Sequence, residues 1–136
     1  MTSLSAVNKA LVQEFYDYIQ KEDYVGAAQL CHKDFIFYTQ LDTPIKGVNG
    51  FVASEKKNFD AFNEFKFTVE HIFAEDDKVA AFMIFDGYHS APLMDVPPKG
   101  NHVRFSLMML LTVKDGLIIE KRAHFDNADI LRQLTR

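Results

Sequence analysis

Along the chain the spacing of apolar positions changes, and the changes divide it into elements. From Leu4 to Gln20 the residues Leu4, Val7, Leu11, Phe15, Tyr18 and Ile19 recur at steps of three and four, which places them on one face of a helix. Ser3 or Ser5 is positioned to cap its start. Asp23 fits the N-cap of a short second helix, Tyr24 to Cys31, whose Ala27 and Ala28 allow close packing. The aromatic and β-branched run DFIFYT, Asp34 to Thr39, predicts a strand. Thr43, Pro44 and Gly47 break the pattern as a loop. The spacing of Val48, Phe51, Val52, Glu55, Phe59 and Phe62 then predicts a third helix running to about Ala61.

Beyond that point the period falls to two. Phe65, Phe67 and Val69 alternate with Lys66, Thr68 and Glu70, the pattern of a strand with one wet face. The alternation slips at His71 and Ile72, where a bulge is expected. Glu75, Asp76 and Asp77 make a turn, and Lys78 to His89 returns as a long apolar strand. Ala91 to Gly100 (APLMDVPPKG) is too rich in proline for a sheet centre and reads as a loop. Val103 to Val113 is apolar on both faces, which marks a central strand covered on both sides. Asp115-Gly116 signals a hairpin, Leu117 to Phe125 comes back antiparallel, and Asn127 to Leu134 ends the chain as a helix. The order helix, helix, strand, helix, then four strands defines an α+β class. The expected architecture is a cone-shaped, curved antiparallel sheet wrapped over three N-terminal helices, with a short C-terminal helix and an apolar cavity inside.

Composition narrows the possibilities. With 48% hydrophobic residues, the 136-residue chain suits a single domain spanning 1–136 with its own core. Thirteen Phe and no Trp predict a core of aromatic wedges. A formal charge of −4 and the lack of any Lys/Arg run argue against nucleic acid as a partner. Cys31 stands alone, so no internal disulfide is expected, in keeping with a reducing compartment. No apolar run approaches the roughly 18 residues of a membrane span, and the N-terminus lacks the pattern of a leader. The expectation is a cytoplasmic protein that binds neither membrane nor nucleic acid.

Candidate chemistry gathers on the last strand. Arg122, His124 and Asp126 alternate and share one face, opposite Ile119, Ala123 and Phe125. Either water or a pocket must cover three ionisable groups in a row. Asp126 in an apolar pocket would have the raised pKa of a general base. It is equally a preferred helix N-cap, with Asp129 three residues later completing a capping pattern. His124 is a candidate acid/base partner because imidazole titrates near neutrality. The planar fork of Arg122 suits a carboxylate or enolate oxygen, and its competing use is an ion pair with Glu120 or Asp126. Tyr16 and Tyr38 are candidate hydroxyl donors to a substrate oxygen. Phe62, Phe82, Ile84, Met94, Ser106 and Met108 are candidate cavity walls. His32, His71, His89, His102 and His124 lack metal-ligand spacing, and no phosphate loop or GxSxG elbow is present. No metal and no cofactor are therefore expected.

The run Phe67 to Gly100 (FTVEHIFAEDDKVAAFMIFDGYHSAPLMDVPPKG), the glycine-containing opening Gly47 to Phe51, and the ending DGLIIEKRAHFDNADILRQL resemble, in order and spacing, the SnoaL-like polyketide cyclase family. That family lies within the nuclear-transport-factor-two-like superfamily, with ketosteroid isomerase and limonene epoxide hydrolase. The resemblance implies cofactor-independent acid/base chemistry, an aldol cyclisation in which an Asp near the end of the last strand moves the proton. Asp126 stands at that place. Two positions depart from the pattern: Arg122 where many relatives carry Trp, and Phe82 where many carry Arg. The second departure ranks epoxide hydrolysis lower. The expected substrate is a mid-sized, mostly apolar carbonyl compound, with an anionic group to meet Arg122. A non-catalytic small-molecule-binding or assembly module and a ketosteroid-isomerase-like enzyme are the alternatives, because fold does not fix function. A homodimer is expected through the outer sheet face, formed by Leu107, Met109 and Leu111 on one strand phase, with the opposite phase equally open.

Overall fold

The computed structural model describes residues 3–136. Helix α1 (Leu4–Gln20) starts at Ser3, whose Oγ accepts from the Ala6 amide at 3.1 Å, and buries Val12, Phe15, Tyr16 and Ile19. Helix α2 (Tyr24–Gln29) starts at Asp23, whose carboxylate accepts from the Gly26 amide at 2.9 Å. It ends earlier than its sequence suggests, because Cys31 opens strand β1 (Cys31–Tyr38) by pairing with Ile118. The segment read as a loop around Pro44 contains a short strand, β2 (Pro44–Lys46), antiparallel to β1. Proline is tolerated there because it is the first residue of an edge strand.

Gly47 takes φ 84°, a left-handed turn that costs glycine little, and its amide donates to Phe35 O at 2.8 Å before α3 (Val48–Phe59) begins. Strand β3 (Phe62–Glu75) begins three residues before the visible alternation. A register shift between Asn63 and Lys66, with Glu64 at φ 51°, hides its start, so Phe62 belongs to the strand and not to the helix. A second shift falls between Val69 and His71, where the sequence pattern slips. The Gln20 side chain donates to Phe65 O and accepts from the Phe67 amide, fastening α1 to this edge strand.

Strands β4 (Lys78–His89), β5 (His102–Lys114) and β6 (Leu117–His124) follow, then α4 (Asn127–Thr135). The sheet order is β2-β1-β6-β5-β4-β3. Pairing is antiparallel except between β1 and β6, which run parallel, so the sheet is not purely antiparallel. The inward row of the long strands comprises Val79, Ala81, Met83 and Phe85 on β4 and Val103, Leu107, Met109, Leu111 and Val113 on β5, all buried. This settles the phase of β5: Leu107, Met109 and Leu111 face the helices and cannot form an outer contact. The outward row, Ser106, Met108 and Leu110, is exposed. Two aromatic groups fill the concave side. Phe51 lies 5.7, 5.5 and 5.1 Å from the rings of Phe15, Phe35 and Phe37, while Phe59, Phe65 and Phe105 stack around Phe85. Among the described residues no helix is long and apolar enough to cross a membrane.

Candidate active site

A cavity of about 190 Å³ opens between these two aromatic groups. It is lined by Phe37, Phe59, Phe62, Phe67, Phe85, Phe105, Leu107 and Met109, together with Thr39, Ser54, Asn58, Met94, Phe125 and Asn127. Two ionisable side chains reach this apolar space, Lys121 from β6 and Glu55 from α3.

Lys121 is 2% exposed. It faces inward because β6 alternates: Lys121 and Ala123 are buried, and Arg122 and His124 turn outward. Its ammonium lies 4.3 Å from the Phe37 ring centroid, 5.4 Å from Phe51 and 6.0 Å from Tyr16, and donates to Met109 Sδ at 3.7 Å. It forms no ion pair among the described residues. Burial pushes its pKa down to about 8, against the pull of Glu55 and Cys31. Burial likewise raises the Glu55 carboxyl above the ordinary carboxylate value, and the Lys121 charge opposes the rise. Burial thus draws the two pKa values toward each other, while the attraction between the opposite charges acts to hold them apart.

Next to this pair, Tyr16 is buried in edge-on contact with Phe15 and Phe67. Its hydroxyl has no hydrogen-bond partner among the described residues, and burial, then Glu55 and Cys31, hold its pKa well above the ordinary phenol. The Cys31 thiol, pushed up to about 12 by burial, contacts Ala27 O at 3.6 Å.

Most of the residues picked from the sequence lie elsewhere. Asp126 is exposed at the start of α4, where Oδ1 accepts from the Asp129 amide at 3.1 Å; its place is the helix cap, not the cavity. His124 is exposed opposite Met108 on β5. Arg122 bonds Glu120 at 3.2 Å and covers the Tyr38 ring at 4.0 Å, which places both Arg122 and Tyr38 on the convex face. Phe82, stacked on His71 at 6.2 Å, belongs to that face with Ile84, Ser106 and Met108. The physical reason is parity: the polar row of β6 is the row covered by water. Of the picked residues, the cavity is lined by Phe62 and Met94, with Tyr16 buried beside Lys121.

The sequence carried a signal for the residues it did not single out. Lys121 is the one charge in phase with the apolar row Ile119, Ala123 and Phe125, and Glu55 falls on the apolar stripe of α3 between Phe51 and Phe59. The position of Asp126 leads to a prediction. Asp126→Ala lowers stability by about 1 kcal/mol through the lost cap, read by urea denaturation. It leaves binding and chemistry in the cavity unchanged.

A cone of curved sheet closed by helices around an apolar pocket is the nuclear-transport-factor-two-like fold. The chain belongs to the SnoaL-like polyketide cyclase family, whose profile matches residues 10–134. It is similar in structure to a presumed SnoaL-like polyketide cyclase from Jannaschia sp. CCS1 (20% identity, 99% of this chain and 96% of that one, TM-score 0.91). It is also similar to AclR, a presumed hydroxylase from Streptomyces galilaeus (25% identity, 93% and 94%, TM-score 0.84). A third similar fold is that of an LEH-like epoxide hydrolase from M. tuberculosis (17% identity, 97% and 92%, TM-score 0.76). Comparison with curated proteins gave no significant match.

Proposed function

We propose that this protein is a cofactor-independent, cyclase-type enzyme that moves a proton next to the carbonyl of a small, mostly apolar compound. The observation that carries the reading is the buried Lys121, without an ion-pair partner among the described residues, sharing an aromatic cavity with Glu55. Glu55 as carboxylate removes the proton α to the carbonyl. Lys121 supplies the positive charge where the enolate oxygen develops, and the low dielectric of the pocket magnifies that interaction. The cavity is slightly larger than the roughly 150 Å³ hollow that admits benzene, so a compound built on one ring fits inside. Arg122 lies outside, so the pocket gives no reason to require an anionic substrate.

The test is hydrogen exchange. In deuterated buffer, wild-type protein exchanges the methyl protons of acetophenone faster than buffer alone, read by NMR. Acetophenone bound in the cavity without any exchange would instead favour a non-catalytic binding module.

We also propose that the outer sheet face packs against a second copy of the chain. Strand β5 is apolar on both faces, yet only its concave side is covered here. Phe73, Met108 and Leu110 remain 67%, 46% and 40% exposed on the convex side. A two-fold contact covers the same row on both protomers. Leu110→Glu sets like charges against each other across the axis and weakens the dimer by about 100-fold or more. Sedimentation equilibrium measures this, and a wild-type protein that is monomeric at tens of micromolar overturns the assignment.

A further inference from the structure

We propose that Lys121 acts covalently, its amine condensing with the carbonyl of the bound compound to form an imine. The inference deepens the proton-transfer reading and rests on it. The geometry is that of a nucleophilic lysine rather than a structural one. A structural buried lysine is expected to end on a carboxylate or on several carbonyl oxygens, whereas this one ends against the Phe37 and Phe51 rings and a thioether sulfur. Lys121 is one of the residues that line the cavity, so a bound carbonyl compound lies against its side chain. The charged or titratable groups around it are Glu55 on α3, Cys31 on β1 and Tyr16 on α1. Of these, only Glu55 shares the cavity lining with Lys121.

The steps balance without any further reagent. The free amine adds its lone pair to the carbonyl carbon. The carbonyl oxygen leaves as water, taking one proton from the amine and one from the protonated Glu55 carboxyl, and an iminium remains. The Glu55 carboxylate then accepts the α-proton, and the electron pair of the broken C–H bond moves toward nitrogen to give an enamine. The enamine carbon forms a C–C bond with a second carbonyl of the same molecule, whose oxygen takes back the proton that Glu55 had accepted, and an iminium re-forms. Water adds to that iminium, restoring the ketone and the free amine, and the proton released returns to the Glu55 carboxylate. An iminium accepts electrons more readily than a hydrogen-bonded carbonyl, so the covalent route lowers the barrier that an enolate would face.

At pH 7 an amine with a pKa of about 8 is roughly one-tenth free base, whereas an ordinary lysine is free to less than roughly one part in a thousand. Lys121 should therefore be captured about 100-fold faster than surface lysines. The experiment incubates the protein with benzoylacetone, a β-diketone whose condensation with an amine gives a conjugated enaminone with its own ultraviolet band. Peptide mapping then locates the adduct. The expected result is one adduct, of probe mass less one water, at Lys121. A folded Lys121→Arg protein loses the band, because guanidinium does not condense. No adduct, or adducts spread over surface lysines, overturns the proposal. Mapping of the wild-type protein needs no variant, so the result stands even if the Arg form fails to fold. A wild-type protein that exchanges acetophenone protons but yields no adduct at Lys121 overturns the imine and leaves the proton-transfer reading intact. A protein that takes up neither probe overturns both.

Discussion

Lys121→Met makes the fold more stable at pH 7 while reducing proton exchange in the cavity by about 10²–10³-fold, the cost of losing one preorganised group that stabilises developing charge. The stability gain follows from burial. The Lys121 pKa falls from 10.5 to about 8, and at about 1.4 kcal/mol per pH unit the buried charge costs on the order of 3 kcal/mol. Contact of the ammonium with the Phe37 ring returns roughly 1 kcal/mol, and Met fills a similar unbranched volume. The expected net gain is about 2 kcal/mol, or about 5–10 °C in Tm. Its pH dependence is diagnostic. Between about 8 and 10.5 the unfolded chain binds more protons than the folded one, so wild-type stability rises with pH across that window. Below about 8 the full penalty applies. The difference between variant and wild type is therefore largest at and below neutrality and shrinks toward pH 10.5. Thermal denaturation at pH 7 and pH 10 checks it, and a variant less stable than wild type at pH 7 would show that the buried ammonium is not a cost.

The proposed trade of stability for chemistry at Lys121 is only partly visible in the amino-acid sequence. The large elements were legible because their periodicities are long and undisturbed: the α1 stripe through Phe15 and Ile19, the turns at Asp76 and Gly116, and the bulge near His71 all follow local rules. What failed to show were features set by pairing partners. Strand β2 is three residues held by β1, too short to carry a pattern, and the early start of β3 is concealed by its bulge. Parity hid the proposed site. On β6 the eye goes to the row with more charge, Arg122, His124 and Asp126, although a long polar row is the ordinary mark of a wet face. A lone charge in an apolar row is the rarer event, because burying it costs free energy that only a function or a partner offsets. Lys121 is such a case. Glu55 is harder to see, since its helix has exposed charges at Lys56 and Lys57 directly beside it.

Glu55→Gln is the change that separates chemistry from binding. Gln keeps the length and shape of the side chain but cannot accept the α-proton, so exchange of the acetophenone methyl protons falls by about 10²–10⁴-fold, the usual worth of a positioned base. Affinity for acetophenone, read by titration NMR, stays close to wild type because the aromatic walls are untouched. Stability supplies the control. Burial raises the folded-state pKa of Glu55 above its ordinary 4.5, so the folded carboxyl holds its proton to higher pH than the unfolded one does. The contribution of that group is then favourable at acid pH and is lost as pH rises from 4.5 through the folded value. At pH 7 the wild-type protein carries the penalty and the Gln variant does not, so the variant unfolds no more easily while its activity collapses. The same shift moves the acid limb of the wild-type exchange profile above the ordinary carboxylate range. An acid limb at the ordinary Glu value, or a Gln variant that exchanges as fast as wild type, would remove Glu55 as the base and point to water or to Lys121 itself.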